Sequence, residues 1–122
     1  MKRDLDLIRK ILLKVEDSNV DEALTNIKIE GYENDEIAYN LSLLKNAGYI
    51  EGEILYEMGS VVPSAYMIFG MTWIGHDFLD ACRNEGIWAK AKEKIRAIGE
   101  DVPLDVFKAV LIDIMTKQLI GT

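Results

Sequence analysis

The amino-acid sequence predicts an α+β fold: a helix, a short strand, a second helix and a two-stranded β-hairpin, with additional C-terminal helices. Two patterns carry this reading. Apolar residues recur at helical spacing in residues 1–15 and 34–47, whereas Tyr49 to Tyr56 alternates with the two-residue period of a strand. A chain of 122 residues, at roughly 100–200 residues per domain, forms a single domain. Within it, residues 1–72 make the core and 73–122 a helical extension.

Leu5, Ile8, Ile11, Leu12 and Val15 share one face, which predicts a helix from Asp4 to Glu16. Asp4 lies near its start, where the helix dipole favours a carboxylate. Asp17, Ser18 and Asn19 stop it. Leu24, Ile27 and Ile29 then sit among Thr25, Asn26 and Lys28 in a partly alternating, β-branched pattern closed by Gly31, read as a short strand. Asn34 offers an N-cap for the next helix, with Asp35 and Glu36 in its first turn. Ile37, Leu41, Leu44 and Ala47 form its apolar face, and Gly48 ends it.

In the strand from Tyr49 to Tyr56, one side carries Tyr49, Glu51, Glu53 and Leu55 and the other Ile50, Gly52, Ile54 and Tyr56. A loop at Gly59 to Ser64 leads to a second strand, Ala65 to Met71, and the two pair as an antiparallel hairpin. Thr72 caps a helix from Trp73 to Arg83 with Phe78, Leu79 and Cys82 on one face. After a joint at Asn84, Glu85 and Gly86, a helix buries Ile87, Trp88, Ala91 and Ile95, turns Lys90, Lys92, Glu93, Lys94 and Arg96 outward, and ends at Gly99. Asp101 and Pro103 announce the last helix. Its apolar residues spread over roughly 240°, against about 100° for an ordinary surface helix. The helix is either sunk between other elements or part of a homodimer contact through Phe107, Val110, Leu111 and Ile114.

Composition excludes several classes. The single Cys82 forms no internal disulfide and the single His76 anchors no His-rich metal site, so no metal or cofactor is expected. The start of the chain is amphipathic and charged, unlike a secretory leader, which makes a cytoplasmic location in a bacterial host cell the expectation. Met58 to His76 carries no formal charge over 19 residues, but Gly59, Ser60, Pro63, Ser64, Gly70, Thr72 and Gly75 read as loop, strand and loop rather than a membrane helix. His76 beside Asp77 invites acid–base chemistry. Adjacent helix residues point about 100° apart, however, and no nucleophile with a suitable base accompanies them, so no enzyme is predicted and His76 is read as bonding locally near the helix start. Trp73 and Trp88 read as core or bracing aromatics, with a partner-binding anchor as the alternative.

The order of elements resembles a winged helix, and IAYNLSLLKNAGYIE at residues 37–51 resembles the passage from recognition helix to wing. That resemblance implies contact with DNA, or with protein in a substantial minority of such folds. A closer resemblance lies in MKRDLDLIRKILL at 1–13, EGY at 30–32, TWIGHDFLD at 72–80 and IWAKAKEK at 87–94. These motifs together look like the family called domain of unknown function 2513, found in bacteria and in phages or prophages. It brings no catalytic residues to carry over, and makes a phage or prophage origin the expectation.

Charge chooses between the two kinds of partner. The net −7 is uneven: residues 1–15 carry +3, and residues 16–57 carry −9, with only Lys28 and Lys45 against eleven acids. Phosphate neutralisation supplies most nonspecific DNA affinity, so double-stranded DNA is disfavoured and a protein partner preferred. The residues expected to meet it are Asp35, Glu36, Tyr39, Asn40, Ser42 and Asn46 on the helix, with Glu51 and Glu53 on the wing strand.

Overall fold

In a computed structural model the described residues are 2–18, 21–99 and 102–119. They form five helices, α1 (Leu5–Glu16), α2 (Asn34–Asn46), α3 (Trp73–Cys82), α4 (Glu85–Ile98) and α5 (Leu104–Leu119), and two strands, β1 (Ile50–Tyr56) and β2 (Pro63–Met71). The fold is α+β with the hairpin set between helices. The chain divides into two compact units, Met1–His76 and Asp77–Thr122. Asn19 and Asp101, read above as helix signals, lie outside the described residues.

In the first unit, Asp4 caps α1, its Oδ1 accepting the Leu7 N–H at 3.0 Å, which satisfies a donor that the helix start leaves without a partner. Leu7, Ile8, Ile11, Leu12 and Val15 are buried along α1. Glu33, one residue before the predicted Asn34, caps α2. Its N–H donates to Glu36 Oε1 at 3.0 Å, half of a capping box. At the other end the Gly48 N–H donates to Lys45 O and the Tyr49 N–H to Leu44 O. This is a Schellman arrangement, which needs the left-handed φ of +81° that glycine adopts at position 48. It turns the chain so that buried Tyr49 and Ile50 lead straight into β1.

β1 and β2 pair antiparallel, with Glu53 opposite Met67 and Leu55 opposite Ala65. The register shifts between Glu51 and Gly52, where Phe69 is the extra residue of a bulge, and again between Leu55 and Tyr56. The expected short strand at Leu24 to Ile29 reduces to one β-bridge, Leu24 with Ile68. The rest of the segment is anchored differently: the Ile27 N–H donates to the Tyr66 hydroxyl at 2.7 Å, and the Ile27 side chain is buried.

The second unit packs Phe78, Leu79, Ala81, Cys82, Ile87, Trp88, Ala91, Ile95, Phe107, Leu111 and Ile114 out of solvent. Asn84 caps α4, accepting the Ile87 N–H at 3.0 Å. Trp88 meets Phe107 edge to face, ring centres 5.1 Å apart and planes at 74°, an arrangement the ring quadrupoles favour. This placement corrects the proposed dimer contact. Phe107, Leu111 and Ile114 are buried and Val110 is half-buried, because the best-patterned stripe of α5 is used by the core. The apolar side chains left outside on α5 include Val106, Ile112 and Leu119.

Candidate functional site

The predicted partner-binding residues of α2 separate into two groups. Asp35 and Asn46 are exposed, and Glu36 and Tyr39 half-buried. Asn40 and Ser42, in contrast, are 1% and 5% exposed and serve the fold. Asn40 accepts the Asp4 N–H at 3.0 Å and donates to Glu36 O at 2.9 Å, tying the start of α1 to α2. The Ser42 hydroxyl donates to Tyr39 O. Neither side chain is free to read a base or a partner. The reason is the breadth of burial: Ile37, Ala38, Asn40, Leu41, Ser42 and Leu44 are all covered, leaving a narrow acidic edge rather than a groove-reading face.

Glu51 and Glu53 are exposed on β1 as expected. Directly opposite residues of a sheet share a face, so Met67 joins Glu53 on the outside and Ala65 joins Leu55, with Phe69 continuing the alternation along β2. Leu55, Met67 and Phe69 are 55%, 42% and 53% exposed. The outer face of the hairpin therefore interleaves carboxylates with large apolar side chains. The inner face is built from Ile54, Tyr66 and Ile68, and burial of Tyr66 raises its phenol pKa, partly offset by the hydrogen bond from Ile27. The alternation along β1 already sets Leu55 beside Glu51 and Glu53, but the sequence pattern does not reveal Met67 and Phe69, since the composition of the loop between the strands does not fix which residue of β2 faces which residue of β1.

The motifs quoted above each acquire a structural task. In EGY, a turn bonded from the Tyr32 N–H to Ile29 O sets Tyr32 beneath the Lys10 ammonium, 5.4 Å from the ring centre. Burial raises the Tyr32 pKa, helped by Asp4, Asp6 and Glu36. In TWIGHDFLD, the Thr72 hydroxyl accepts the Gly75 N–H at 3.1 Å and donates to Gly48 O. Gly75 sits so close that an added Cβ would collide with the Tyr49 carbonyl. Phe78 and Leu79 enter the core, and Cys82 is a buried thiol donating to Leu79 O at 3.4 Å.

The remainder of that motif faces solvent. His76 and Asp77 are exposed. Trp73 is 81% exposed, which corrects its reading as a core residue; Trp88, 5% exposed, is one. The helical wheel held this signal. At about 100° per residue, Trp73 lies roughly 170° from the middle of the Phe78, Leu79 and Cys82 face.

Two further concavities are present. One of about 470 Å³ is lined by Lys90, Glu93, Lys94, Ala97, Ile114 and Lys117, with Lys117 paired to Asp113 at 3.0 Å. The other, about 520 Å³, is lined by Lys10, Lys14, Glu16, Asp17, Lys28 and Glu30 among others, and Lys28 donates to Asn34 at 2.7 Å. Among the described residues no cluster of three or more His, Cys, Asp or Glu could hold a metal ion, and no helix is long and apolar enough to cross a membrane.

The chain is similar to an uncharacterized protein of Haemophilus influenzae, 34% identical over 120 residues, which covers 98% of this chain and 99% of that protein. No solved structure matches. The family model described as Hypothetical protein (DUF2513) matches residues 2–101. The motifs from the α1 start to the Lys-rich face of α4 fall within that match, and the chain belongs to the DUF2513 family.

Proposed function

We propose that this chain is a noncatalytic interaction module of phage or prophage type with a winged-helix-like core, and that it binds a protein partner through the acidic edge of α2 and the outer face of the hairpin. One observation carries the reading: Glu51 and Glu53 share the outer face with Leu55, Met67 and Phe69, all exposed. A surface of carboxylates and large apolar groups suits a basic, amphipathic protein segment. It repels a phosphate backbone, and with Asn40 and Ser42 turned inward, α2 has lost two of the side chains that DNA readout would use. Asp35, Glu36, Tyr39, Asn46, Glu51 and Glu53 remain as its polar contacts.

The test is capture of partners from a bacterial lysate on the immobilised chain, compared with Asp35→Lys combined with Glu36→Lys. Loss of capture by the double variant, folded as judged by circular dichroism, is the expected result; unchanged capture refutes this surface. A salt series with random duplex DNA runs beside it. Binding at low salt that weakens steeply with added salt would replace this reading with that of a DNA-binding regulator. Light scattering at high concentration tests self-association, which on α5 has to use Val106, Ile112 and Leu119, and a strictly monomeric mass removes it.

A further inference from the structure

The backbone of the hairpin defines how a partner is held. Ile68 and Leu24 exchange both backbone hydrogen bonds, at 2.8 and 2.9 Å, so the Ile68 N–H and C=O point away from β1. Ile68 stands opposite Gly52. In an antiparallel ladder such a pair is not hydrogen-bonded, and both members direct their backbone groups outward. Gly52, and by alternation Ile54 opposite Tyr66, thus present N–H and C=O at the outer edge of β1, whereas Glu53 and Leu55 use theirs on Met67 and Ala65. Leu24 covers the far side of β2. Among the described residues no strand lies beyond β1, and neither Gly52 nor Ile54 has a backbone partner there.

We infer that the partner adds an extended segment of alternating basic and apolar residues to this edge of β1. The inference rests on the protein-binding reading above and names the class of segment that satisfies it. Main-chain hydrogen bonds to Gly52 and Ile54 supply the attachment, and side chains in the added strand supply the selection. On the outer face those side chains stand beside Glu51 and Glu53, where Lys or Arg is favoured and an acid is opposed. On the inner face they lie beside half-buried Ile54, which favours an apolar residue. A second copy of β1 is the wrong occupant. Antiparallel self-pairing that matches Gly52 with Ile54 sets Glu53 directly against its own copy, and like charges so placed destabilise the pair.

The experiment titrates the full chain with a synthetic peptide of alternating lysine and valine, matched in length to the seven residues of β1, and with its glutamate and valine counterpart. Amide exchange is followed by NMR. With the lysine peptide, exchange at Gly52 and Ile54 slows while that at Glu53 and Leu55, already bonded within the hairpin, does not change; the glutamate peptide has no effect. Glu51→Lys with Glu53→Lys weakens the lysine peptide by about tenfold and reverses the preference. Ile54→Pro removes a donor that the β1–β2 ladder does not use, so it keeps the hairpin, checked by circular dichroism and thermal unfolding, and loses the peptide. Binding of the lysine peptide with unchanged exchange at Gly52 and Ile54 overturns strand addition while leaving the acidic-surface reading in place. Protection of those amides that grows with protein concentration alone makes a second copy the occupant and overturns the inference. Absence of lysine-peptide binding also overturns it, whereas the broader reading falls to unchanged capture by the Asp35 and Glu36 variant or to salt-sensitive binding of duplex DNA.

Discussion

Asn40 marks how far a side chain's role depends on what stands opposite it. Its place on α2 suggests a donor and acceptor for a base edge, yet its amide is held at both ends by Asp4 N–H and Glu36 O. Asn40→Ala leaves a partly buried N–H without its acceptor, and we expect a loss of about 1–3 kcal/mol, read from the midpoint of urea unfolding at unchanged slope. Partner capture per folded molecule stays as it was, since the side chain makes no outward contact. Gly75 and Thr72 carry the same lesson. Thr72 was legible as a cap because hydroxyl N-caps act within three residues, while the need for glycine at 75 comes from a carbonyl at Tyr49 that the sequence places 26 positions earlier.

Elements were legible where their signals are local. The start of α1 at Asp4, the glycine stop of α2 and the hairpin itself follow from residues within a few positions of one another. The segment from Leu24 to Ile29 was not, since its β-branched pattern suits a strand but only Leu24 reaches a partner strand and the Tyr66 hydroxyl takes the Ile27 donor instead. In α5 the broad apolar surface concealed which stripe is inside. The two stripes make opposite forecasts: Phe107→Ala opens a cavity beside Trp88 and costs about 3–5 kcal/mol, whereas Ile112→Ser, at a 46% exposed position, stays within about 0.5 kcal/mol. Denaturant unfolding of both variants checks the assignment, and equal losses would contradict it.

For the whole molecule, charge and pH response have different origins. The acidic excess of residues 16–57 is a property of composition, and it argues against phosphate contact wherever those residues end up on the surface. The alkaline behaviour is a property of burial. Tyr32 and Tyr66 both have phenol pKa values raised above the ordinary 10.0 of a tyrosine, by burial first. A raised folded pKa means that the unfolded chain ionises earlier, so the stability these groups contribute is complete below pH 10 and is lost as pH rises through their folded values. Thermal unfolding should therefore hold its midpoint approaching pH 10 and decline above it. Tyr66→Phe should start lower at neutral pH, having lost the acceptor for Ile27, and decline less steeply. Ultraviolet titration of tyrosinate is the direct check: Tyr32 and Tyr66 ionise later than a free phenol.

By itself the sequence determined the order of helices and hairpin, the Thr72 cap and the Gly48 stop, the concentration of acid between Glu16 and Glu57, and the family, because each depends on residue identity and short spacings. Tertiary structure alone decided that Asn40 and Ser42 face inward, that Trp88 is buried against Phe107, and that Met67 and Phe69 share an outer face with Glu51 and Glu53. Those outcomes depend on register and on which helix face meets the core, and both are settled by contacts between residues far apart in the chain, where burial of apolar area outweighs local preference.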